Sequence, residues 1–214
     1  MNTTLQPEVQ AKDPVHQAIY SRRAVRKFTK KEVDPNVLKE IIAAGTMAPS
    51  AMNRQPWKFY ILHDPKTIAK VSQAITKVSS SEFSPKKPNK FLQAALSLFQ
   101  FSRDLGLFQG ADPIFHHAPV VILIAAPIDN EWAALDIGMC AQNIMLAAQS
   151  YGLASCPIGL AKFVSHTSLY PHLNIPQTEQ IQLGIILGYG DEHPAAHKRE
   201  TGNIHYINLE EKLL

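Results

Sequence analysis

The stretch Ala48-Pro49-Ser50-Ala51-Met52-Asn53-Arg54-Gln55-Pro56-Trp57 sets two prolines, two amides, a hydroxyl and a tryptophan between a helical pattern and a strand pattern. A loop that only turns a chain has little use for that inventory. A loop that holds a polar, planar ligand does, because backbone and amide groups serve it as donors and acceptors. Upstream, Ser21-Arg22-Arg23-Ala24-Val25-Arg26-Lys27-Phe28 has two explanations. Arginines at the end of a first helix favour its dipole by about 0.3–1 kcal/mol each. Guanidinium forks also match phosphate oxygens in two-pronged geometry, which makes the same segment an anion cradle. A second basic cluster, His197-Lys198-Arg199, lies in a polar stretch and by itself reads as a solvated loop. The turn Cys156-Pro157-Ile158-Gly159-Leu160 ends a short strand pattern. Its glycine lets a backbone N–H approach a ligand closely, although an ordinary turn has the same composition.

Other chemistries find no support in the spacing. Neither a Gly-x-Gly-x-x-Gly fingerprint nor a P-loop occurs, so a dinucleotide-binding Rossmann unit is not supported. Nine histidines are scattered. His116 and His117 are adjacent, which would point them apart on a strand. His193 and His197 are four apart, but Pro194 argues against a helix presenting both to one metal. Cys156 has no neighbouring motif that marks a nucleophile and is expected to be a small core residue. No Ser-His-Asp arrangement can be assembled. The chemistry therefore falls to a bound cofactor, and no acid, base or nucleophile is assigned to the chain.

Positioning these residues requires a helix-rich frame with a few buried strands. Asp13-Pro14, Asp34-Pro35 and Asp64-Pro65 each read as an aspartate N-cap followed by proline in the first helical turn. Apolar residues then recur at helical spacing: Val15, Ala18 and Ile19; Val37, Leu38, Ile41 and Ile42; Ile68, Val71 and Ile75. Residues 57–62 suit a buried strand, 79–89 a loop, 91–101 a helix and 120–126 a second buried strand. The longest helical pattern covers 131–150, and Gly152 is placed to close it. Short apolar segments follow at 154–157, 181–187 and 204–207. The sum is an α/β or α+β layered protein, with neither repeats nor a linker.

Bulk properties agree. With 214 residues, 45% apolar and 18% charged, the chain can build one sizeable core, and one domain over 1–214 is expected. A net charge of +3 is too small to imply a polyanion, and Lys86, Lys87 and Lys90 stand among serines and prolines as in a solvated loop. No nucleic-acid partner is expected. Cys140 and Cys156 form no Cys-x-x-Cys, so a reducing compartment fits. Residues 1–12 lack the apolar core of a signal peptide. The longest apolar run, 118–127, is about half of the ~20 residues a membrane helix needs. A soluble, cytoplasmic protein without a membrane partner is the expectation.

Taken together, these segments resemble the nitroreductase family of FMN-dependent oxidoreductases. The resemblance is carried in order by Arg22-Arg23-Ala24-Val25-Arg26, the 49–57 loop, Leu135-Asp136-Ile137-Gly138, Tyr151-Gly152-Leu153, Cys156-Pro157-Ile158-Gly159, and Leu187-Gly188-Tyr189-Gly190 with basic residues downstream. It implies an α+β fold, a central mostly antiparallel sheet flanked by helices, and an intertwined homodimer with FMN at the subunit interface. It implies that Arg22 and Arg199 hold the FMN phosphate, with Lys198 or His197 assisting. Arg26 would reach the pyrimidine end of the flavin, where a cation stabilises reduced-flavin charge. Pro49, Ser50 and Asn53 would contact flavin from the partner subunit, and the N–H of Gly159 or its neighbour would face flavin N5, with Pro157 and Ile158 in the same cofactor-binding turn. Arg23 and Ala24 complete the motif. Ala24 stands where relatives often carry serine, so only its backbone can serve, and the second basic cluster lacks a proline that often follows it. The implied activity is hydride transfer from NADH or NADPH through FMN to a small electron-poor acceptor, a nitroaromatic or quinone, in a ping-pong cycle. A flavin-consuming or dehalogenating branch, an FMN storage or sensor protein, and a non-flavin α/β binding module are the alternatives. The 79–117 region, with Phe108, Phe115 and His116, is the expected lid.

Overall fold

The computed structural model describes residues 13–82, 112–200 and 202–207. The helix expected at 91–101, Phe108, the lysines 86, 87 and 90, and most of the expected lid lie outside them.

Three helices start where Asp-Pro pairs stand. In α1 (Pro14–Ser21), Asp13 Oδ1 accepts the N–H groups of Val15 and His16 at 2.9 and 3.0 Å. In α2 (Pro35–Thr46), Asp34 accepts from Asn36 at 2.7 Å. In α3 (Pro65–Glu82), Asp64 Oδ2 accepts from the Thr67 N–H at 2.8 Å and from its hydroxyl at 2.6 Å. Each cap satisfies a donor that the helix's first turn leaves without an internal partner. α3 continues through Ser79 to Glu82, where the serine-rich composition predicts a loop. Ser79 is buried and its hydroxyl donates to the Ile75 carbonyl at 2.8 Å, so the side chain that would compete with the helix is consumed by it.

The sheet comprises β1 (Lys58–Leu62), β2 (Val120–Pro127), β3 (Ala154–Ile158) and β4 (Glu179–Gly188) in the order β1-β2-β4-β3, antiparallel throughout. β2 explains why its sequence is apolar without interruption. Val121, Leu123 and Ala125 face one core with Ile68, Val71 and Ile75 of α3, while Val120, Ile122, Ile124 and Ala126 face the other. Side chains alternate across a strand, so a strand covered on both faces needs apolar residues at every position. The second core holds Ile41 of α2, Trp57, and Ile137, Cys140, Ala141 and Ile144 of α4 (Ala133–Ser150). Helix α4 ends as expected at Gly152, whose φ of +70° closes the helix. There the Leu153 N–H donates to the Ala148 carbonyl at 2.9 Å and the Gly152 N–H to that of Gln149 at 3.1 Å.

Three expectations are corrected. His116 and His117 do not lie on a strand but in the 113–117 turn, both left-handed with φ of 55° and 56°. Asp112 makes that turn, its two carboxylate oxygens each accepting at 2.9 Å, from the N–H groups of Phe115 and His117. Phe115 is not a lid residue: it is fully buried against α3 and β2. The apolar segment 204–207 is exposed and forms no strand. Among the described residues, no helix is long and apolar enough to cross a membrane.

Candidate functional site

The arginine segment leaves α1 and is laid along the sheet's edge. Ala24 bridges Ser155 of β3, and the Val25 N–H donates to the Ser155 carbonyl at 3.2 Å. Further on, Phe28 bridges Gly190, Thr29 donates to the Tyr189 carbonyl at 2.8 Å, and Asp191 donates to the Lys27 carbonyl at 2.8 Å. Residues 22–29 are therefore held between β3 and the exit of β4. The arginines then divide between the two explanations the sequence left open. Arg23 Nη1 donates to the carbonyls of Tyr20 and Arg22 at 2.7 and 2.8 Å, which is the helix-end role. Arg22 keeps Nε and Nη1 buried with no hydrogen-bond partner. A buried guanidinium with unused donors is costly alone and is a ready receptor for an anionic oxygen. An FMN phosphate fits that chemistry.

Arg26 lies next along the edge, half-buried, its backbone N–H donating to Glu192 Oε1 at 2.6 Å. Cys156 sits among these charges: burial pushes its thiol up, while Arg26 and Arg22 pull it back. A buried, protonated thiol is a core residue, as expected. His116 also faces this cluster. Burial holds its pKa below the ordinary value, Arg26 adds to the effect, and Asp112 and Glu192 oppose it. At the end of β3, Pro157 and Ile158 still pair with Ile185 and Gly184 of β4, and Gly159 opens the helical turn that follows; Pro157 and Gly159 are exposed and Ile158 is buried. A cavity of about 420 Å³ adjoins the segment, lined by Arg23, Val25, Leu153, Gly190, Glu192 and His193.

The second wall lies at α4. In the 49–55 loop the Asn53 N–H donates to the Ser50 carbonyl at 2.9 Å, and the Gln55 N–H to Ser50 Oγ at 2.9 Å. Gln55 Nε2 donates to Asn53 Oδ1 at 3.1 Å. With those acceptors occupied, the Ser50 hydroxyl and the Asn53 amide retain donors for a ligand rich in carbonyl oxygens. The loop is tied to the body by Asp136, which accepts the Ala51 N–H at 3.1 Å. Pro49 borders a groove of about 440 Å³ with Leu135, Gly138, Met139, Gln142 and Asn143 of α4.

The fold thus lays Arg22, Arg23, Ala24 and Arg26 along the edge at β3, the strand that holds Pro157 and Ile158 and leads into Gly159, and sets Pro49 and Ala51 of the 49–55 loop, with Ser50 and Asn53 beside them, against α4. Lys198 and Arg199 are exposed in an irregular stretch after β4. Two residues of the site carried no role in the sequence reading. Asp136 had a signal, being a lone acid within the apolar stripe of α4. Glu192 had none, because its bond to Arg26 joins positions 166 apart.

The sequence pattern described as the Nitroreductase family matches residues 19–189. A 4-nitrobenzoate reductase of Pseudomonas putida is 29% identical over 200 residues, covering 85% of this chain and 87% of that protein. A nitroreductase of Bacteroides fragilis, solved with bound FMN, is similar with a TM-score of 0.71 at 24% identity, over 92% of this chain and 100% of that one. One from Desulfitobacterium hafniense, also with bound FMN, gives 0.72 at 20% identity, over 92% and 99%. The family's α+β fold is the one described above, and on the match across residues 19–189 the chain belongs to the nitroreductase family.

Proposed function

We propose that this chain is an FMN-dependent oxidoreductase, one unit over 1–214, that takes reducing equivalents from NADH or NADPH and passes them to a small electron-poor acceptor. Nitroaromatics are the favoured acceptor class, since 4-nitrobenzoate reductase is among the relatives, and quinones are the second. The observation that carries the proposal is the pair of buried, unpartnered donors on Arg22, in the segment that Ala24 pairs to β3. FMN, when bound, supplies hydride acceptance and donation at N5. The chain's own residues bind and orient it. Arg22 and Arg199 hold the phosphate, with Lys198 or His197 assisting, and Arg23 and Ala24 contribute backbone. Arg26 sets its charge at the pyrimidine end, where it favours the reduced, anionic cofactor. The Gly159 N–H, presented by Pro157 and Ile158, approaches N5. Pro49, Ser50 and Asn53 complete the pocket on a second subunit's flavin, so the working form is a homodimer in a reducing, cytoplasmic setting. Reductant and acceptor occupy one pocket in turn, which gives ping-pong kinetics.

The test is a visible spectrum of purified protein, before and after anaerobic addition of NADH and of NADPH. The expected result is a yellow protein that bleaches within seconds and regains colour with a nitroaromatic. Flavin that stays oxidised would indicate storage, and protein that takes up no FMN would refute the proposal. The double substitution Arg22→Ala with Arg199→Ala is expected to lose FMN on gel filtration. Flavin content equal to wild type would place the phosphate elsewhere.

A further inference from the structure

Asp136 is 1% exposed, on an early turn of α4 among the buried apolar residues Ala133, Ile137 and Cys140. Packing alone does not call for an acid there, since burying a carboxylate is costly unless hydrogen bonds satisfy it. Only half of it is satisfied: Oδ1 accepts the Ala51 N–H at 3.1 Å, and Oδ2 is buried with no partner. An unpaired buried oxygen costs about 1–3 kcal/mol, which a purely space-filling position would avoid by carrying an apolar residue.

What the carboxylate holds is a strained loop. Met52, Asn53 and Gln55 all adopt left-handed backbone, with φ of 52°, 53° and 46°. Non-glycine residues there cost on the order of 1–3 kcal/mol each and persist only where the surroundings over-determine them. The loop's other hydrogen bonds, Asn53 N–H to Ser50, Arg54 N–H to Ala51, and Gln55 to Ser50 and Asn53, are internal. They fix its shape but not its place on the molecule. Among the described residues, the Ala51–Asp136 bond is the hydrogen bond that fixes residues 49–55 to α4.

We propose that Asp136 is a positioning residue: its Oδ1 anchors the Ala51 N–H to α4 and thereby aims the free donors of Ser50 and Asn53 at the flavin. This rests on the FMN reading above, and the experiment separates the two. Amide hydrogen exchange at Ala51 is measured in flavin-free protein, and FMN affinity by titration, for wild type, Asp136→Ala and Asp136→Asn. Ile144→Val, a buried change in the same helix that leaves the Ala51–Asp136 bond in place, serves as the control. In Asp136→Ala, exchange at Ala51 accelerates and FMN binding weakens roughly tenfold or more, the weight of a hydrogen bond to a charged group. Asp136→Asn, which keeps an acceptor at Oδ1, stays within about threefold of wild type by the same measure. Ile144→Val binds FMN as wild type does. Should Asp136→Ala not fold, Ala51→Pro deletes the same bond from the loop side. Ser50 already has the extended backbone (φ −142°, ψ 156°) that a following proline requires. It too should weaken FMN binding roughly tenfold. Wild-type exchange at Ala51 in Asp136→Ala overturns the anchor. Unchanged FMN affinity in the Asp136→Ala or Ala51→Pro variant, or an equal loss in Ile144→Val, overturns the positioning role. Wild-type protein that takes up no FMN overturns the flavin reading, and the exchange measurement then judges the anchor alone.

Discussion

His116 carries two costs at once, a left-handed backbone and burial next to a guanidinium. Both have consequences that can be measured. Burial and Arg26 favour the neutral ring, and His117 adds to them, while Asp112 and Glu192 favour the charged one; the balance holds the pKa below its usual 6.5. An unfolded chain takes up the proton first as pH falls. The stability tied to the neutral ring is therefore fully present above pH 6.5 and is lost as pH falls through the folded-state pKa. His116→Asn, which tolerates the same backbone, should flatten this part of the profile in chemical denaturation between about pH 7 and pH 5. An unchanged slope would show that another group titrates. Of the residues that matter at this scale, Arg22 stood out in the sequence as a candidate anion holder, and its buried, unpartnered donors support that proposed role. Asp136 and Glu192 acquire their roles from contacts across 85 and 166 positions, and no local pattern encodes those.

At the scale of elements, the packing of α2 on α4 makes a sharp prediction. A Cβ on Gly45 would lie 2.5 Å from Ile144 Cγ1 and 3.0 Å from its Cδ1. Alanine gains up to about 1 kcal/mol of helix propensity over glycine, but overpacking a core costs about 1–3 kcal/mol. Gly45→Ala should therefore lower unfolding free energy, and adding Ile144→Ala should cost less than the sum of the two single changes, because the second removes the clash of the first. Additive losses in denaturant melts would mean that the helices separate freely. The elements were the most legible part of this chain. Aspartate caps, prolines in first turns and a closing glycine act within a few residues and stand in the sequence as such. The end of α3 escaped for a local reason of the opposite kind, because the hydroxyls of Thr76 and Ser79, which could compete with a helix, here donate to its own carbonyls. The 113–117 turn escaped because Asp112, not a glycine, sets it.

For the whole molecule, the order β1-β2-β4-β3 was beyond sequence reading, since pairing partners are far apart and every strand pattern fits several orders. The proposed homodimer finds support in what this chain leaves bare. Met47, Met52 and Leu135 are 79%, 73% and 59% exposed, and Val15 and Ile19 of α1 also face outward. Apolar surface gathered about the loop and α4 is what an intersubunit face requires. Sedimentation equilibrium is expected to give twice the chain's mass, and Leu135→Lys should shift the protein toward monomer and release flavin together. A monomeric holoprotein would refute the shared site. The strand β2, dry on both faces, has a further consequence for how the protein is made. Its partner β1 precedes it, but β4 begins only at Glu179, so at about 5–20 residues per second the ribosome leaves one edge of β2 unpaired for seconds. An uncharged, β-prone ladder edge is the kind of segment on which chains aggregate. The strand that makes the finished sheet watertight is thus also a hazard of the nascent chain, lasting until β4 arrives to cover its open edge.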